Sequence, residues 1–475
     1  MVVQLSQCTD LRLLCKQSRN KQRSCNMAGY ECITLLLCLT LTTAQAAEGK
    51  TWVLLAASAN GWGNYGMQAD VYHAYQVIKK GGIPDEQIIV MAYDDIAQNS
   101  LNPFKGKVFD SYDMMDVYKG VNIDYSGKLV TKEIFLAALR GDEEGVKNLT
   151  GREGKVINSG PNDNIFVYIT DHGGPGIVCW LDGNYMTAKE LNKTITTMHQ
   201  NKKYKQMVLY IDTCNAGSMF ENILPNDIGV YAVTSTTATE PAFSVECSSQ
   251  YFPSSSFTCL GGLFSINWIY ETESDDRTSA TLEQQFKEAK IACERFSVPK
   301  QYGNHSIALL AQSKFFGDSA LKPKHRRRLR RSGEKMQAIP KHMQAYYLLQ
   351  NRLAGLPKSS PEYETVAKDI TRYKTLMDQV DYFMETIPYI IDASFQTHEI
   401  VEWRKSNFGD IDWKCYEPVI DTVKTKCPGI WYREEAKYYA LSQFGILINL
   451  CNEAPVEKLR AAITLAADFN PLCKL

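Results

Sequence analysis

Between Thr51 and about Ala320 the chain alternates short apolar runs with stretches of helical periodicity. Trp52-Val-Leu-Leu-Ala-Ala, Gln87–Tyr93, Asn164–Thr170, Met207–Ile211 and Ile228–Thr234 are runs rich in β-formers, the pattern of strands buried on both faces. Gln68–Ile78, Ala188–Met198 and Thr281–Ala292 instead place apolar residues three and four apart, and the first is closed by Gly81-Gly82, as a helix is. Strand and helix in this rhythm predict an α/β fold, a mostly parallel sheet flanked by helices. After Ala320 the pattern changes. Residues 321–350 read as a basic linker or activation segment with two prolines between Lys322 and Lys341. Tyr363–Tyr389 and Glu434–Cys451 carry helical spacing with few strand signals, so 351–475 is expected to be a small all-α domain. The organisation is thus a leader at 1–46, an α/β domain at 47–320, the linker, and the helical region.

Composition narrows the class. The 475 residues exceed one ordinary core, and 44% hydrophobic with 22% charged residues is a globular balance. A net charge of −1 gives no general affinity for nucleic acid. His325–Arg331, with five arginines in seven residues, reads as solvated linker. Ile33–Leu41 has the apolar length of a signal peptide, and Ala44-Gln45-Ala46 follows as a small-x-small cleavage pattern. Translation from Met27 would shorten the leader. No later stretch reaches 18 uninterrupted apolar residues, so no membrane span is expected, and a lumenal or secreted product is. Of fourteen cysteines, five lie in the leader. Cys415, Cys427, Cys451 and Cys473, in the last 61 residues, suggest two disulfides with three pairings open. Asn148, Asn192 and Asn304 head glycosylation triplets.

The candidate chemistry sits where two of the strand runs end. Asn164–Thr170 is followed by Asp171, His172, Gly173 and Gly174; Met207–Ile211 is followed by Asp212, Thr213 and Cys214. In parallel sheets ligands bind beyond the carboxyl ends of strands, so neighbouring strands would bring this imidazole and thiol to one rim. A thiol becomes a useful nucleophile beside a group that can take its proton. Glycines after the His let a substrate backbone approach, and the N–H groups of Gly173 and Cys214 could receive a developing oxyanion. Nucleophile, acid/base and donors together suffice for acyl transfer.

Several motifs in order carry a resemblance: NGWGNYGMQAD, IPDEQIIVMAYDD, LRGDEE, YITDHGGPG, YIDTCNAGSM and SINW. The chain resembles the legumain, or asparaginyl endopeptidase, family of cysteine peptidases across essentially everything after the leader. The resemblance implies a caspase-like fold, a catalytic Cys214, an acid/base His172, and Asn64 orienting the imidazole. It also implies protein or peptide substrates cut after Asn. The helical region would be a prodomain that inhibits its own enzyme and is shed at acidic pH. Asn351 falls near the family's self-processing Asn, and Asp171 matches the Asp before the catalytic His. The specificity pocket departs from the pattern: Gly66 and Met67 replace Arg and His, Asp212 replaces Glu, and Gly262 replaces an Asp, while Ser244 keeps its counterpart. A wider, less polar pocket with altered preference is expected. DHGG and IDTC also resemble the catalytic subunit of the GPI transamidase, and a catalytically silent binding paralogue is a third reading.

The remaining features point to packing or chance. Arg140-Gly-Asp is a common triplet, Asp124-Tyr-Ser-Gly-Lys lacks the acidic spacing of a calcium loop, and His73 falls on a helical face among apolar residues. No Cys/His grouping has zinc spacing and no Gly-rich phosphate loop follows a strand, so neither metal nor cofactor is expected.

Overall fold

A computed structural model of the protein describes residues 49–111, 113–247, 252–253, 256–318, 337–404 and 409–474. The leader and the arginine run lie outside the described residues. All five apolar runs form strands: β1 (Thr51–Ala57), β2 (Ile88–Ala92), β3 (Asn164–Thr170), β4 (Gln206–Asp212) and β5 (Val230–Thr234). A sixth, β6 (Lys300–Gly303), completes a sheet of order β6-β5-β4-β3-β1-β2. Every pairing from β5 to β2 is parallel, and β6 runs antiparallel at the edge.

Alternation along β3 shows why these runs read as continuous. Phe166 and Tyr168 enter the core on one face, Ile165, Val167 and Ile169 the core on the other, so every position meets apolar neighbours. The first core is closed by helices α1 (Tyr65–Lys80) and α2 (Leu263–Ser274), whose Val71, Ile78, Phe264 and Trp268 pack on the sheet. The second is closed by Lys132–Arg140 and Ala188–Gln200, the latter started by a capping box of Thr187 and Glu190.

The tail is helical as expected. Its main elements are α3 (Gln344–Ala354), α4 (Pro361–Ile391), α5 (Trp413–Lys426), α6 (Glu434–Leu441), α7 (Gly445–Glu453) and α8 (Val456–Phe469). The single helical stretch read at Glu434–Cys451 is two helices. The turn between them lets Gln443 reach Asp381 of α4 at 2.7 Å and sends Phe444 into the tail core. Disulfides join Cys415 to Cys451 and Cys427 to Cys473, settling the pairing, and a further one joins Cys247 to Cys259. Residues 49–475 form one compact unit, because the tail core runs on into Ile177 and Cys179 of the hairpin that follows His172. The helical region thus packs directly on the α/β part of the chain.

Candidate active site

Strand register delivers the two reactive groups. β3 and β4 are parallel with Thr170 opposite Asp212, and the Asp171 N–H donates to the Asp212 carbonyl at 3.3 Å. His172 and Cys214 thus each stand two residues beyond a paired position, at the carboxyl edge of the sheet. The turn after Cys214 is made by Asn215, at φ 57°, a left-handed conformation that Asn tolerates. Its amide holds the Ala238 carbonyl at 2.9 Å. Gly173 must lack a side chain: a Cβ there would meet the Cys214 carbonyl, the Ile177 carbonyl and Thr213 Oγ1, each at 2.9 Å.

Asn64, the residue before α1, fixes the imidazole. Its Nδ2 donates to the Asn60 carbonyl at 2.8 Å, which turns its Oδ1 toward His172 Nε2 at 2.9 Å. An acceptor at Nε2 assigns the ring proton to that nitrogen. Nδ1, buried and without a hydrogen-bond partner, is left with a free lone pair. Asp171 does not touch the ring; its carboxylate accepts from Ser58 Oγ and from the His172 backbone N–H. Burial holds that carboxyl up at about 7.

The rim is covered. Tyr438 of α6 stacks on the His172 ring with centroids 3.5 Å apart and planes 14° from parallel. Tyr416 Oη of α5 donates to the Pro175 carbonyl at 2.9 Å. Burial, reinforced by Lys341, Lys437 and His342, pushes the imidazole well below its usual range. Burial likewise pushes the Cys214 thiol up, against backbone hydrogen bonds at Ala242 and His342 and the charge of Lys341. Both groups are therefore neutral in this state.

A chain segment crosses the site as an added strand. Ile339–Pro340 pairs antiparallel with Phe243–Val245, Ile339 opposite Ser244, and the Lys341 N–H donates to the Ala242 carbonyl at 2.8 Å. Lys341, 1% exposed, runs in among the residues expected to form the specificity pocket. Its Nζ donates to the Asp212 carbonyl at 2.9 Å and Thr170 Oγ1 at 3.3 Å and lies 3.2 Å from Asp212 Oδ1. That last approach is an ionic contact without hydrogen-bond alignment, since Asp212 Oδ1 has no hydrogen bond. Gln344 then accepts from Ser244 Oγ and donates to the Gly63 carbonyl.

The pocket differs from the expected one. It is not less polar, because Asp70 of α1 supplies a second carboxylate, held by the Gly262 N–H at 2.9 Å. Burial first, and Asp212 next, push this carboxyl well above the usual range, with Lys341 opposing. Nor is it wider at Gly66, where a Cβ would meet Gly261 N at 2.8 Å: the backbone of Gly261 fills that space. Met67 is buried in the first core. A Cβ at Gly262 would lie 2.5 Å from Asp212 Oδ2 and 3.1 Å from Asp70 Oδ2, so the two aspartates stand where a third carboxylate would otherwise go.

Other candidates fall elsewhere. Asn351 lies within α3, beyond the crossing segment, and it is Lys341 whose side chain reaches Asp212. Asn192 is 4% exposed with its amide donating to the Ala188 and Met219 carbonyls at 2.8 Å, so it has no room for a glycan. Asn148 is exposed and Asn304 half-buried. His73 is packed, between Asp110 and Glu273. Among the described residues no group of His, Cys, Asp and Glu is arranged to hold a metal ion, and no helix is long and apolar enough to cross a membrane.

Residues 51–318 match the peptidase C13 family. The vacuolar-processing enzyme delta-isozyme of Arabidopsis thaliana is 34% identical over 86% of this chain and 88% of its own length. Legumain of Mus musculus is 36% identical over 87% and 92%, and that of Homo sapiens 34% over 87% and 92%. Among solved structures, caspase-1 from Spodoptera frugiperda matches 58% of this chain and 93% of its own at 11% identity and a TM-score of 0.30, too slight a likeness to carry an argument.

Proposed function

Since the chain belongs to the peptidase C13 family, we propose that it is a legumain-like cysteine endopeptidase made as a zymogen, with Cys214 the nucleophile, His172 the acid/base and Asn64 the residue that orients the imidazole. The observation that carries the reading is the 2.9 Å Asn64–His172 bond beside a thiol delivered by the neighbouring in-register strand. With its proton on Nε2, the ring offers Nδ1 to take the proton of the thiol. Sγ bonds to the carbonyl carbon of the substrate, and N–H groups at Gly173 and Cys214 receive the oxygen. The C–N bond breaks, the imidazolium returns its proton to the leaving amine, and water hydrolyses the thioester to free the thiol and a carboxylate.

The helical tail is the inhibitor in this reading. It buries the imidazole under Tyr438, keeps both reactive groups neutral, and lays its own backbone over Cys214. Substrates are proteins or peptides, and the working compartment is acidic, lysosome- or vacuole-like, or the exterior. Acidified full-length protein should label at Cys214 with a thiol-directed peptide electrophile and hydrolyse peptides. Cys214→Ser should lose turnover by about 10⁴-fold or more. Labelling without hydrolysis would turn the reading toward transpeptidation, and no labelling toward a silent binding protein.

A further inference from the structure

Resting on the peptidase reading, we infer that the specificity pocket is built for a lysine side chain, so that the substrates are peptides with Lys, and not Asn, before the bond that is cut. Residues 339–342 lie as a substrate would. They extend the Phe243–Val245 strand antiparallel, Lys341 donates its N–H to the Ala242 carbonyl at 2.8 Å, and the backbone of His342 is among the groups that bear on the Cys214 thiol. The bond presented to Sγ is Lys341–His342, with Lys341 in the pocket.

What surrounds Nζ suits an ammonium. Its partners are two hydrogen-bond acceptors, a carbonyl at 2.9 Å and a hydroxyl at 3.3 Å, and the charge of a carboxylate oxygen at 3.2 Å, a mix of acceptors and negative charge that an ammonium satisfies. Asp212 Oδ1 is buried with no hydrogen bond of its own, and its other oxygen takes the Ser265 hydroxyl at 2.5 Å. The carboxylate therefore presents one oxygen, which fits a point charge better than the two-pronged fork of arginine. Asp70 adds a second acid behind it, 3.1 Å from the Cβ position of Gly262.

When the tail leaves, Lys341 leaves with it, and two buried carboxylates face each other without that cation. Such a pair is costly unless a proton or a positive charge joins it. An Asn carboxamide brings no charge, and its terminal nitrogen stands two bonds nearer its own Cα than the Nζ of a lysine does. A lysine side chain restores the arrangement that the zymogen already holds. Lys341 is in this sense a resident copy of the substrate side chain.

The test uses full-length protein, acidified to release the tail, and fluorogenic peptides identical except for Lys, Arg, Asn or Gln before the cut. Turnover of the Lys peptide, as kcat/KM, should exceed that of the Arg peptide about tenfold and of the Asn peptide about a hundredfold. Asn at or above Lys overturns the inference and leaves the peptidase reading standing. Cys214 labelling with no peptide cut overturns that reading and this inference together. In a second arm, Asp212→Asn, with its folding checked by thermal melting, should lose Lys turnover at least tenfold more than Gln turnover. Equal losses on both peptides overturn the pocket assignment, and a variant that does not fold leaves the four-peptide ranking of the unaltered protein to decide.

Discussion

The proposed catalytic rim and the proposed specificity pocket lie at the same edge of one sheet, yet they are built differently. The rim is a backbone product. Register between β3 and β4 sets the places of His172 and Cys214, and one carboxamide, itself tethered to the Asn60 carbonyl, turns the ring. The pocket is a product of charge and space: two buried acids, two glycines whose missing side chains let strands and carboxylates close in, and a lysine from far along the chain. Chemistry that rests on register survives changes of side chain around it. Specificity that rests on a few buried charges changes when any one of them does.

Lys341→Met separates the two most sharply. Removing one partner of a buried ion pair costs about 3–5 kcal/mol, here taken from tail docking, while the residues of the rim keep their places. Cys214 should label faster at neutral pH than in the unaltered chain, and unchanged labelling would mean that the pair does not hold the tail. Gly262→Asp attacks the pocket from within. A third carboxylate beside Asp70 and Asp212 should lower stability by about 3 kcal/mol or more, read as a lower Tm in thermal unfolding. An unaltered Tm would break the account of why glycine stands there.

Asn64→Ala strikes the rim instead. Losing the tether of the imidazole should lower kcat by about 10- to 100-fold and leave the ranking of side chains before the cut as it was. A changed ranking would show that rim and pocket are not independent. The smallest effect concerns pH. His342 is held down to about 4 by burial, and His172 lies well below its usual range by burial and by Lys341, Lys437 and His342. Bases with depressed values stabilise the closed state above about pH 6.5, their usual value, and lose that contribution as pH falls. Asp171, held up at about 7, and Glu434, raised by burial, act in the opposite direction, since acid relieves the cost of burying them. Opening on acidification therefore follows the imidazoles. His342→Gln should move the midpoint of Cys214 labelling down by roughly half a pH unit, and an upward shift would contradict this.

The rim was legible in the sequence because its determinants are local: an apolar run, then a reactive residue, then glycine. The pocket was legible only as a set of departures. Asp70 carried a signal, an acid on an inward-facing helix stretch between Ala69 and Val71, but its partner, Lys341, sits in a basic segment that reads as solvated. Nothing local ties a lysine to an aspartate 129 residues away. The Cys247–Cys259 bridge joins cysteines only 12 apart in sequence, a spacing that by itself distinguishes neither from a free thiol. β6 escaped notice because Lys-Gln-Tyr-Gly at a sheet edge lacks the apolar continuity of the inner strands. Asn192 fits the glycosylation triplet as well as Asn148 does, and only burial distinguishes them.

Neither tail disulfide crosses to the α/β part of the chain. Cys415–Cys451 and Cys427–Cys473 both close within the last helices. A single backbone scission ahead of residue 339 is therefore enough to make the plug detachable, and it departs as one cross-linked piece with its lysine still attached. If the tail is the inhibitor, as proposed, a reducing lumen would soften that plug without unlocking it, and its release would rest with proteolysis and protons.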